Sequence, residues 1–103
     1  MNIEALLKLV GTPRDNAMLR LTLARLLAAG QRPAEAETHL LAALEMEGNY
    51  TAAWKELGRI RLQNDDLPGA AEAWRRGIET ARENGDKQAE KEMTVFLKRA
   101  GSK

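Results

Sequence analysis

The chain has 103 residues, 16 basic against 15 acidic side chains for a formal charge of +1, and no cysteine. That length suits one domain with a modest core. The near-neutral balance lacks the basic footprint of a dedicated nucleic-acid binder, and the missing thiols exclude disulfides and thiolate zinc sites. No apolar run approaches the ~20 residues of a membrane-spanning helix. The opening stretch MNIEALLKLVG has neither the basic start nor the small-residue cleavage site of a signal peptide. A cytoplasmic protein with no membrane role is therefore expected.

Good helix formers dominate, with only three isoleucines and two valines, and no stretch alternates long enough to argue a strand. Punctuation divides the chain into six helical pieces. The first spans about Asn2 to Val10 and stops at Gly11. Thr12, Pro13 and Asp15 then read as cap, first helical residue and capping-box acid of a second helix that runs to Ala29 and ends at Gly30. Pro33 starts a third, reaching Met46. The fourth covers Tyr50 to Gln63, and Asn64-Asp65-Asp66 forms a turn with Asp66 as the next cap. The fifth runs from Pro68 to Glu83 and ends at Asn84-Gly85. The sixth covers Asp86 to Ala100, with Ala89, Met93, Phe96, Leu97 and Ala100 marking one buried face.

Sliding the sequence against itself by 34 residues aligns Leu23 with Leu57, Arg25 with Arg59, Ala36 with Ala70 and Glu45 with Glu79. Similar residues fill the gaps: Ala24 with Gly58, Leu26 with Ile60, Leu40 with Trp74. Trp54-x2-Leu57-Gly58, followed by Ala70, Trp74 and Gly77, resembles the tetratricopeptide repeat, in a small bacterial type of protein. Departures are Arg61 where a second aromatic is usual and Arg82 where a closing proline is usual. In the earlier unit Arg20, Ala24 and Leu40 stand for Trp, Gly and aromatic. The resemblance implies an all-α fold of antiparallel helix pairs stacked as a short right-handed superhelix. Residues 1–103 form a single domain: 17–50 the degenerate repeat, 51–84 the clearer one, 1–16 and 85–103 the flanking caps. Both tryptophans are read as packing residues, with Gly58 and Ala70 letting two helix backbones approach closely.

Nothing in the chain points to catalysis. His39 is the only histidine and lacks companions for a metal site. Asn64-Asp65-Asp66 lacks the further ligands of a calcium loop, and no phosphate loop or nucleophile arrangement is present. No cofactor, no metal and no enzymatic activity are expected. Arg75 and Arg76 read as solvated surface.

Binding remains. The resemblance implies that the first helix of each pair lines a groove where partners lie. The residues then expected to face it are Met18, Leu21, Arg25, Lys55, Arg59 and Leu62. Arg25, Lys55 and Arg59 would make a basic floor favouring an acidic peptide or chain terminus of another protein, as in an adaptor, scaffold or co-chaperone-like module. Self-association into a structural assembly is the alternative. An RNA-binding helical repeat is disfavoured by charge and by the scarcity of aromatics for base stacking.

Overall fold

The computed structural model describes residues 2–101; Met1, Ser102 and Lys103, which fall in the expected caps, lie outside the described residues. Six helices follow one another: α1 (Ile3–Leu7), α2 (Ala17–Ala29), α3 (Pro33–Met46), α4 (Thr51–Gln63), α5 (Leu67–Asn84) and α6 (Lys87–Gly101). Among the described residues there is no strand, and no described helix is long and apolar enough to cross a membrane. Each helix packs on the next, and α2 also touches α4, as α4 touches α6. The result is an elongated block of 40 × 29 × 20 Å.

The 34-residue period is visible in the backbone. Helices α2 and α4 begin at 17 and 51, and α3 and α5 at 33 and 67. The turns repeat too. Gln31 (φ 64°) and Asp65 (φ 60°) take the left-handed conformation. The next N–H, of Arg32 or Asp66, bonds the carbonyl of Leu27 or Arg61 five residues back, at 2.8 Å in both cases. This is the Schellman arrangement that ends a helix and reverses the chain. Gly85 (φ 71°), with Asp86 N–H on the Ala81 carbonyl, does the same a third time. Asp66 caps α5 as expected, accepting from Gly69 N–H at 3.0 Å.

Two expected helix boundaries move, an end and a start. The first helix is only Ile3–Leu7, capped by Asn2 and followed by tight turns through Gly11. The second begins at Ala17 rather than Pro13, because Asn16 instead of Thr12 is its cap and accepts from Leu19 N–H at 2.8 Å. Thr12, Pro13 and Asp15 sit in the turn before it. There Thr12 Oγ1 donates to the Leu9 carbonyl and accepts from Arg14 N–H, while Asp15 accepts from Gly11 N–H. The capping-box pattern was present, but its acid is engaged elsewhere.

Two apolar clusters hold the block together. One joins α2, α3 and α4 through Leu21, Leu27, Leu40, Leu57 and Ile60, with Ile3 packed against it; the other joins α5 to α6 through Trp74, Ile78 and Met93, with Phe96, Leu97 and Ala100 alongside. Burying each such side chain stabilises by about 1.5–3 kcal/mol. The expected inward face of α6 is thus the observed one.

The role of Gly58 differs from expectation. A Cβ there would collide with the Trp74 indole rather than with the backbone near Ala70. The glycine is a notch for a side chain: the indole of Trp74 lies in it, 2% exposed, with Nε1 donating to the Lys55 carbonyl at 3.3 Å. Gly77 is a second notch, where a Cβ would strike the Met93 sulfur. Consecutive helices α4, α5 and α6 are keyed together by these two absent side chains.

Candidate functional site

Helices α2, α4 and α6 are the alternate members of the stack, and their exposed sides carry two larger clefts and a smaller one. The cleft between α2 and α4 is lined by Arg25, Ala28, Glu56, Arg59 and Gln63. Arg25 and Arg59 lie 34 residues apart and occupy the same register of the two repeats, so equivalent backbone positions deliver both guanidinium groups to it. The Arg25 Nε lies 3.8 Å from Glu56 Oε1. The cleft is therefore mixed in charge rather than a uniformly basic floor.

The second cleft opens between the C-terminal halves of α4 and α6 and has a volume of about 540 Å³. Trp74 of α5 is its floor and Leu62, Leu67, Phe96 and Ala100 its walls, with Arg59, Asp65 and Arg99 at the exposed edge. The Trp74 and Phe96 rings are 5.5 Å apart and tilted by 46°. Arg59 borders both clefts. Its guanidinium makes no hydrogen bond or ion pair among the described residues, whereas the side chains of Arg25 and Lys55 do.

Of the six expected groove residues, four present exposed side chains: Met18 (69% exposed), Arg25, Arg59 and Leu62 (45% exposed). Leu21 does not. It is 4% exposed and packs in the first core cluster, so its register on α2 faces inward. Lys55 lies on α4 but turns toward α6, where Nζ meets Glu92 Oε1 at 3.2 Å, in a separate small cleft with Thr51 and Asp86. The basic trio is thus split: two arginines share a cleft, and the lysine side chain ties α4 to α6 outside the apolar cleft. Phe96 and Arg99 are not among the expected site residues, because α6 is expected to serve as a cap, with Phe96 on its inward face and Arg99 on its outward one.

The remaining polar residues are structural. Arg61, a departure from the aromatic pattern, reaches Glu37 on α3 at 3.2 Å and the Gly69 carbonyl on α5 at 3.2 Å, joining three helices. Arg76 is not merely solvated: its guanidinium lies over the Trp54 ring, 4.9 Å from the centroid. The Trp54 Nε1 donates to the Gly48 carbonyl at 2.9 Å. His39 is half-buried, and its Nδ1 lies 3.2 Å from Arg20 Nη1. Arg20 in turn grips Asp15 with two bonds of 3.0 and 2.8 Å. Those bonds, with the Gly11 N–H, hold the Asp15 carboxyl down to a pKa of about 2. Burial, and then the Arg20 charge, push the His39 imidazole below its usual value, against a smaller upward pull from Glu35 and Asp15. Among the described residues no group of His, Cys, Asp or Glu is placed to hold a metal ion.

Comparison with known proteins agrees with the geometry. Residues 17–60 match the family model of the tetratricopeptide repeat. A TPR repeat-containing protein of Pseudomonas aeruginosa is 48% identical over 100 residues, covering 96% of this chain and 94% of that protein. The solution structure of a Bordetella parapertussis protein superposes with a TM-score of 0.85 at 37% identity, over 98% of this chain and 88% of that one. The Sgt2 TPR domain of Aspergillus fumigatus has the same fold, with a TM-score of 0.75 at 21% identity over 98% of this chain and 69% of that one.

Proposed function

Because the chain belongs to the tetratricopeptide repeat family, whose repeats generally mediate protein–protein interactions, we infer that it is a non-enzymatic interaction module that binds a segment of an acidic partner protein on the face formed by α2, α4 and α6. In this reading residues 17–50 and 51–84 are the two repeat units and the flanking segments are caps that keep the stack closed. The supporting observation is the convergence of Arg25 and Arg59 on one cleft, with Arg59 also bordering the apolar cleft beside it. Opposite charge in a partner would be steered toward this face, and apolar contact would then hold it.

The test is capture of the native partner by the wild-type chain and by an Arg25→Glu/Arg59→Glu variant. Both arginines are exposed, so the fold should survive within ~0.5 kcal/mol. Capture should be lost, and wild-type binding should weaken with salt, since exposed charges are screened beyond about 8–10 Å. Arg75→Glu on α5 is the control, because Arg75 lines neither cleft. Loss of the partner in the control alone would move the binding surface to the other side of the block.

A further inference from the structure

The apolar cleft is selective about the backbone of whatever enters it. Its floor and walls are Trp74, Leu62, Leu67, Phe96 and Ala100. The Trp74 N–H is already committed to the Lys55 carbonyl. An extended peptide laid over Trp74, Leu62 and Phe96 would bury N–H and C=O groups against carbon, with only Arg59, Asp65 and Arg99 at the edge to receive any of them. No strand edge exists among the described residues to pair with such a chain. A helix carries its backbone hydrogen bonds internally and escapes this cost. A space of 540 Å³ is also more than one aliphatic side chain fills, and falls in the range of about 300–1,000 Å³ that accommodates whole ligands.

Charge sets the remaining requirement. Arg59 stands at the edge of the cleft without a carboxylate of its own among the described residues. Arg99 at the same edge adds positive charge, while Asp65 would repel an acid laid beside it. We propose that the cleft between α4 and α6 takes an amphipathic helix of the partner, with two large apolar residues one turn apart entering over Trp74 and an acidic residue meeting Arg59. This rests on the interaction reading above and specifies what the α4–α6 end of that face recognises. The acid belongs on the Arg59 side and away from Asp65.

The experiment uses the full chain and a fluorescein-labelled, lactam-stapled peptide of about four helical turns. The peptide carries two leucines one turn apart and one glutamate on the same edge. Three matched peptides replace the leucines by alanine, replace the glutamate by lysine, or place a proline mid-helix. Fluorescence anisotropy should show saturable binding of the parent, and the Trp74 indole resonance should shift with it. The alanine and proline peptides should bind at least about tenfold more weakly, a change of ~1.4 kcal/mol. Arg59→Glu should weaken the glutamate peptide about tenfold and favour the lysine peptide instead. Leu62→Asp should weaken both, and its circular dichroism should remain native because Leu62 is half exposed. Equal binding of the proline peptide, indifference to Leu62→Asp, or no saturable binding of the stapled helix would each overturn the proposal. If capture of the native partner depends on Arg25 and Arg59 but ignores Leu62→Asp, the interaction reading stands and the helix proposal falls. If capture ignores all three, the reading itself falls.

Discussion

Arg20 and Trp54 occupy the same place in two successive repeats, 34 residues apart, and do the same job with opposite chemistry. Each stands in the first turn of its pair's leading helix and joins it to the preceding loop and to the second helix of the pair. Arg20 does this with charge: it holds Asp15 in the loop and touches His39 on α3. Trp54 does it with an indole: its N–H bonds the Gly48 carbonyl in the loop, and its face receives Arg76 from α5. A repeat therefore requires a three-way joint at this position rather than a particular residue. The chemistry chosen decides how the joint responds to its surroundings. The ionic joint of the first pair should feel pH and salt, whereas the aromatic joint of the second should feel neither strongly.

The largest effects should come from the place where the two pairs differ most in packing. Trp74 and Leu40 are equivalent in register, but only Trp74 fills a glycine notch. Trp74→Ala should cost about 3–5 kcal/mol and Leu40→Ala about 2–5 kcal/mol, each through a cavity. The notch itself gives the sharper contrast. Gly58→Ala should destabilise by about 1–3 kcal/mol, because even one methyl meets the indole ring. That loss would occur although alanine favours the helix by about 1 kcal/mol over glycine. Chemical denaturation of the variants measures both. A stabilised Gly58→Ala would mean that the indole can leave the notch freely, and that the second pair is held like the first.

The joint residues also show which parts of the molecule were legible in the sequence. The period of 34, the six helices and the inward face of α6 were readable because helix packing imposes a repeated pattern of small and large apolar residues. Trp54 and Trp74 were readable as packing residues for the same reason. Arg20, Arg61 and Arg76 were not. Each looked like a departure from the repeat or like ordinary surface, because a long side chain's partner lies on another helix and leaves no trace in local spacing. Leu21 misled in the other direction: counting positions along α2 placed it on the open face, while it packs in the core cluster shared by α2, α3 and α4. The start of α2 was misplaced because Thr12, Pro13 and Asp15 spell a complete cap pattern, whereas Asn16 caps the helix and Asp15 is held by Arg20 and the Gly11 N–H.

An intermediate effect should follow pH. The His39 imidazole is held below its ordinary value of ~6.5, so on acidification the unfolded chain binds that proton first. Stability should therefore decline as pH falls below about 6.5, and this part of the decline should vanish in His39→Gln. Asp15 acts further down. Its carboxyl is depressed to about 2, so its contribution is present above the ordinary carboxylate value of ~3.9 and is lost as pH falls toward 2. Thermal melts of wild type, His39→Gln and Arg20→Met from neutral to acid pH separate the two. Arg20→Met should flatten the acid limb by removing the partner of both groups, and it should raise amide exchange in the N-terminal segment that Asp15 anchors. A Trp54→Phe variant should keep the wild-type pH profile, since its joint does not titrate. An unchanged profile in Arg20→Met would remove the distinction between an ionic and an aromatic joint.

The smallest effect tests the feature the two pairs share. Gln31 and Asp65 both sit at φ near +60° in equivalent turns, a conformation that costs an L-residue roughly 1–2 kcal/mol and glycine almost nothing. Replacing either by glycine removes that cost but adds freedom to the unfolded chain, so the net gain should be only some tenths of a kcal/mol up to about 1 kcal/mol. The gains should not be equal. Aspartate tolerates the left-handed region better than glutamine because its short side chain can bond the local backbone. Gln31→Gly should therefore raise the melting temperature more than Asp65→Gly, with neither substitution touching the ionic or aromatic joint. If Asp65→Gly gave the larger rise, the equivalence of the turns would fail. The carboxylate at the edge of the apolar cleft would then be a source of strain in the second pair with no counterpart in the first.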